Sequence, residues 1–115
     1  MTWISDVGDY RVMVESDDIE TEPHVHVIDA KTMGEEFNSP ISLVRTGYVK
    51  HIGEKNNELT TELKEQFNDM LFKPSYRRDM KNNYEMAMCT WIDFNEVYYE
   101  IMKEAFHEIP DYSKL

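Results

Sequence analysis

The sequence predicts an α+β domain: a small, mostly antiparallel sheet of three or four strands packed against two or three helices. Two observations carry that prediction. Apolar residues alternate with period two between residues 10 and 52, and recur every three to four residues from about 58 onward. A polar, turn-like stretch from Gly53 to Asn57 separates the two patterns. With 115 residues the chain is read as a single domain, 1–115. The sheet falls mainly in 10–52, the helices at about 58–72 and 79–107, and a tail at 108–115.

Residues 1–9 read as a short lead, with Trp3 and Ile4 covering one edge of the core and Gly8-Asp9 forming a turn. Tyr10 to Glu15 is the first strand, because Tyr10, Val12 and Val14 alternate with Arg11, Met13 and Glu15. Residues 15–22 hold five acids in eight positions, a poor strand and a good solvated loop. Pro23 then opens the densest apolar run of the first half, Pro-His-Val-His-Val-Ile-Asp-Ala, which reads as the second strand. On it Val25 and Val27 share a face with Asp29, while His24, His26 and Ile28 share the other.

Lys31 to Ser39 is a connection that Pro40 ends, and Ile41 to Thr46 is the third strand. Gly47 permits a turn or bulge. Tyr48 to Ile52 is either a short fourth strand or the third continued around that bulge. Asn57 is the expected cap of the first helix, with Glu58 near its positive end. Leu59, Leu63, Phe67, Met70 and Leu71 form its apolar stripe, and Pro74 stops it. Met80, Tyr84, Ala87, Met88, Trp91 and Phe94 begin a second, longer stripe. It predicts one long helix or two joined by a kink near Asn95, and typical helix lengths favour the broken version.

The strand Pro23-His24-Val25-His26-Val27 resembles a family of small bacterial domains labelled domain of unknown function 4160. Its members are similar in a first strand, a loop, a Pro-His-x-His-Val strand, further sheet and a following helix. Tyr10 to Val14, His24 to Val27, Ile41 to Val44 and Leu59 to Leu71 match that outline, so the resemblance covers about residues 10–71. Asn83 through Trp91 and Asp93 is similar to a helix of some relatives, although Ile92 stands where Asn is expected and no proline follows Asn95. The resemblance implies no settled activity. By association with toxin–antitoxin or mobile-element genes it implies a regulatory or partner role.

Charge narrows the classes. Acids outnumber bases 23 to 12, and the formal net charge is −11. That field repels nucleic acid and anionic membrane surfaces, and suits solubility or a basic protein partner. An acidic inhibitor that mimics nucleic acid is one alternative. The single cysteine, Cys89, excludes an intrachain disulfide and a Cys-rich zinc motif. No basic segment followed by an apolar run begins the chain, and no stretch approaches 18 apolar residues. A reducing cytoplasm is the expected location.

Three groups of residues could carry function. His24 and His26 point the same way from one strand, a spacing that can chelate a metal, and His51 is a candidate third ligand if its strand pairs nearby. His107 is too distant in sequence to place. The expectation is nevertheless no tight metal site and no cofactor, for want of further close-spaced ligands. In that reading one imidazole packs beside Ile28 and hydrogen-bonds locally. The same three histidines support the rival reading of a small metal-dependent or acid–base enzyme. Arg77, Arg78 and Lys81 form the one dense basic patch. Met86, Cys89 and Ile92 lie off the main stripe of the long helix, with Tyr98 and Tyr99 beyond them. Together with Arg77 and Arg78 at the rim they suit an interface. The favoured function is therefore a non-enzymatic, cytoplasmic protein-binding or regulatory module, acting on a protein partner or by self-association.

Overall fold

A computed structural model describes residues 1–15, 22–95 and 108–115. Four strands, β1 (Thr2–Val7), β2 (Tyr10–Val14), β3 (His24–Asp29) and β4 (Asn38–Ser42), form one antiparallel sheet in chain order. Two helices follow, α1 (Thr61–Phe72) and α2 (Asn83–Phe94), and then a single 3₁₀ turn at Tyr112–Lys114. The α+β arrangement is the one the two apolar periods predict.

Period two decides what each face of the sheet does. Val12 stands opposite Val27, and Val25 opposite Ile41. These residues join Phe67, Leu71, Met88 and Trp91 in the main core. The other face carries Met13, His26 and Pro40 in one cross-strand row, with His24 opposite Ser42. The predicted division of β3, valines on one side and histidines with Ile28 on the other, is the division between core and candidate site.

The lead predicted for residues 1–9 is instead strand β1. Its alternation is broken by a bulge between Trp3 and Ser5, which puts its two buried residues, Ile4 and Val7, three apart. Gly8, at φ 59°, occupies the first position of the two-residue connection to β2, where hairpins of this kind favour glycine. The third strand also shifts from prediction: β4 begins at Asn38 and ends at Ser42, rather than running from Ile41 to Thr46. Pro40 sits inside it. Residues 48–52 make no strand of their own, and only Tyr48 bridges Ile41.

Asp29 ends β3 and organises the connection that follows. Its carboxylate accepts from the backbone N–H groups of Thr32, Gly34 and Phe37, and from the Thr32 hydroxyl at 2.6 Å. The Thr32 hydroxyl above all, with the backbone donors, lowers the Asp29 carboxyl to about 2.

Helix α1 is capped by Thr60, whose side chain accepts from the Leu63 N–H, not by Asn57. Asn57 is occupied elsewhere, on β4. The stripe works as predicted in its lower half: Phe67, Met70 and Leu71 are buried, and Leu63 is partly buried against the same core. Helix α2 starts at Asn83 rather than 79, because Asn82 caps it by accepting from the Glu85 N–H at 2.8 Å. It ends at Phe94 with Asn95 as its C-cap, the Asn95 Nδ2 donating to the Trp91 carbonyl. The rest of the predicted 79–107 helix, with Tyr98, Tyr99 and His107, lies outside the described residues, as does the acidic loop between its ends at Glu15 and Glu22.

The predicted tail is part of the core. Tyr112 is fully buried, meets the Phe67 ring edge-on with centroids 5.0 Å apart, and donates its hydroxyl to the Ser42 carbonyl. Tyr84 ties α2 to the end of β4 in the same way, its hydroxyl donating to the Leu43 carbonyl at 2.6 Å. Burial pushes that phenol up to about 12. Among the described residues, no helix is long and apolar enough to cross a membrane.

Candidate metal centre

Strand β3 sends the rings of His24 and His26 to the same face, and both are buried, at 1% and 2% exposure. Burying an imidazole is costly unless its nitrogens find partners. Each outer nitrogen does. His24 Nδ1 lies 2.8 Å from the Glu22 carbonyl oxygen, and His26 Nδ1 lies 2.9 Å from Asn38 Oδ1. Glu22 is itself pinned, since its carboxylate accepts from the Ser42 hydroxyl and from Arg45 Nε.

The third ring comes from the irregular chain between β4 and α1. Backbone bonds lay that segment along β4: Val49 N–H donates to the Pro40 carbonyl at 2.9 Å, and Asn57 N–H to the Asn38 carbonyl at 2.8 Å. Asn56 closes the loop between them, accepting from His51 N–H and donating to the His51 carbonyl. His51 is thereby held over β3. Its ring centroid is 4.9 Å from those of His24 and His26, which are 5.1 Å from each other. One nitrogen from each of the three rings lies within 4.8 Å of the other two.

The hydrogen bonds of two rings decide where their outer protons are. The Glu22 carbonyl can only accept, so His24 carries its proton on Nδ1 and its lone pair on Nε2. Asn38 donates from Nδ2 to Glu54 Oε2 at 3.2 Å, which fixes its amide and turns Oδ1 toward His26. His26 Nδ1 is then a donor too. The same Glu54 oxygen stands 3.7 Å from His51 Nδ1, an ion-pair distance rather than a hydrogen bond, which leaves the His51 proton on either nitrogen. One nitrogen of each ring faces the other two. Those of His24 and His51 are 3.0 Å apart. That is also the length of a hydrogen bond between two imidazoles, one donating and one accepting.

Sequence reasoning expected no tight metal site for want of further close-spaced ligands, with His51 as a candidate third, and the structure brings His51 beside His24 and His26. That reasoning did not single out Asn38 or Glu54, which hold two of the three rings. An asparagine two residues before Pro40, at the start of a strand, was the available signal for the first.

The residues read as an interface are placed differently. Met86 and Ile92 are buried in the chain's own core, because α2 packs against α1 and against strands β1, β2 and β3. Cys89 is half-buried, and its thiol is pushed up by burial, helped by the charges of Glu85 and Asp93. Arg77 and Arg78 are exposed, and Arg77 pairs with Asp79 at 2.8 Å. A surface pair of that kind contributes little to stability.

No family model, curated protein or solved structure matches the chain. The resemblance noted above therefore rests on the residues quoted for it, and the histidine cluster is read on its own chemistry.

Proposed function

We propose that the protein binds one divalent first-row transition-metal ion, of the zinc class, through His24, His26 and His51. The observation that carries the reading is the convergence of one ligand nitrogen from each of His24, His26 and His51 within 4.8 Å of one another. Imidazole nitrogen suits zinc, copper, iron and nickel, and discriminates against magnesium and calcium. Zinc–nitrogen bonds of about 2.0–2.1 Å in a tetrahedron put the nitrogens roughly 3.3 Å apart. The 3.0 Å separation of His24 and His51 is within a small ring rotation of that value. Two of the rings have the outer partners typical of metal-bound histidines, a backbone carbonyl for His24 and an amide oxygen for His26, and the Glu54 carboxylate stands 3.7 Å from the third. A formal charge of −11 adds a long-range field that favours a cation.

The partner-binding reading gives way to this one because Met86 and Ile92, two of its central residues, are spent on the chain's own core. A hydrogen bond between the two rings is the competing reading of the 3.0 Å approach of His24 and His51, and it predicts no metal uptake. Protein purified without a histidine tag, stripped with chelator and titrated with zinc separates the two. The expected result is one zinc per chain by calorimetry and elemental analysis, with affinity reduced at least tenfold in His51→Ala. A folded wild-type chain that takes up no zinc, or whose uptake is indifferent to both His51→Ala and His26→Ala, overturns the proposal.

A further inference from the structure

Resting on that metal reading, we infer that the ion works as a clasp on one surface loop: its binding fastens residues 50–56 to the sheet, and its loss releases them. The ligands come from two elements of unequal rigidity. His24 and His26 sit on β3, which is bonded on both sides, to β2 and to β4. An ion cannot shift those two rings far without deforming the middle of the sheet. His51 lies 27 positions beyond His24, in a segment without regular structure. Free energy gained at the metal therefore goes into the placement of the His51 loop.

That loop is built to move as a unit between two fixed ends. The N–H groups of Val49 and Asn57 donate to the Pro40 and Asn38 carbonyls. Between those ends Asn56 bonds across the loop, accepting from the His51 N–H and donating to the carbonyls of His51 and Glu54. Lys50, Ile52, Gly53, Glu54, Lys55 and Asn56 are all exposed, Ile52 at 96%. Of residues 50–56, His51 is the one that turns inward, with 14% side-chain exposure. The loop thus contributes no buried apolar side chain to the core. The bond from Asn38 to Glu54 also reaches it, but ends on a carboxylate half open to water, where solvent competes. A segment with internal bonds and little apolar burial opens at low cost and in one piece, so an added bond at His51 controls it more than any other part of the fold. The coupling is reciprocal: whatever holds the loop closed strengthens the metal, and the metal holds the loop closed.

Lys50 and Lys55 flank His51 and are exposed, so a lysine-specific serine protease reads the loop directly, with exposed Lys81, between α1 and α2, as internal reference. The intact chain is digested with one equivalent of zinc or with chelator, and the fragments are followed by mass spectrometry. Zinc is expected to slow cleavage after Lys50 and Lys55 about tenfold relative to Lys81, within the usual range of coupling between sites. In His51→Ala both cleavages should be fast in either condition. Asn56→Ala keeps all three imidazoles but unties the loop, and should bind zinc about fivefold or more weakly than wild type. A wild-type chain that binds zinc by calorimetry while cleavage after Lys50 and Lys55 keeps its ratio to Lys81 overturns the clasp and leaves the metal site standing. Wild-type zinc affinity in Asn56→Ala does the same. A folded chain that takes up no zinc removes both readings together.

Discussion

Asn57 holds Asn38 at both of its backbone groups: its N–H donates to the Asn38 carbonyl at 2.8 Å, and its side-chain oxygen accepts from the Asn38 N–H at 3.0 Å. The residue that orients His26 is thereby locked by the residue that ends the His51 segment. Asn38 is the hinge of the site's hydrogen bonding, touching His26 through one end of its amide and Glu54 through the other.

Removing that amide should loosen the metal without dismantling the sheet. Outer partners of metal-bound histidines typically contribute 10- to 100-fold in affinity. Asn38→Ala is therefore expected to weaken zinc binding by about that factor, with circular dichroism unchanged. Equal zinc affinities in the two proteins, measured by competition with a chelator, would remove Asn38 from the site.

The core can be tested at Phe67. Its ring is fully buried under the sheet and meets Tyr112 edge-on. Phe67→Ala deletes the ring from a packed interior, which costs about 3–5 kcal/mol. Urea unfolding followed by tryptophan fluorescence reads the loss. A cost below about 1 kcal/mol would mean that α1 does not seal the sheet through this residue.

Asp29 sets an acid limit on the connection between β3 and β4. Its carboxyl is held at about 2 against an ordinary value of 3.8, so the folded chain prefers the ionised form. The sign follows: the contribution is complete above pH 3.8, declines as the pH falls, and is gone once the folded carboxyl protonates near 2. Asp29→Asn should be less stable than wild type at neutral pH, and the two stability curves should converge between pH 4 and 2. Curves that run parallel through that window would show that the Thr32, Gly34 and Phe37 contacts do not depend on the charge.

What the sequence discloses and what it hides separate along physical lines. β3 was legible because Pro23 opens a run of β-branched residues, and the period of a strand alone put His24 and His26 on one face. β1 was not, because a bulge sets Ile4 and Val7 three apart and destroys the period that marks a strand. The cap of α1 was read as Asn57, and only the long-range clasp on Asn38, which the sequence does not show, takes that residue away from the helix. His51 has no periodic neighbours at all; its position depends on Val49, Asn56 and Asn57 bonding to partners fixed by the fold. Tyr112 is one aromatic in a polar stretch, and a single residue carries no pattern. Met86 and Ile92 looked surplus because one helix face was assumed to meet the core, whereas α2 packs against both the sheet and α1.

The sheet's strict nearest-neighbour order also shapes how the chain reaches this state. Each strand pairs only with its neighbours in the chain, so the sheet can grow one hairpin at a time from the N-terminal end. The third imidazole is reached only when the chain has passed β4, and the valine face of the sheet stays uncovered until Phe67, Trp91 and finally Tyr112 dock on it. During synthesis the nascent chain therefore carries a formed sheet with a bare apolar side for roughly the last half of its length, the interval in which a chaperone or a neighbouring chain has its opportunity.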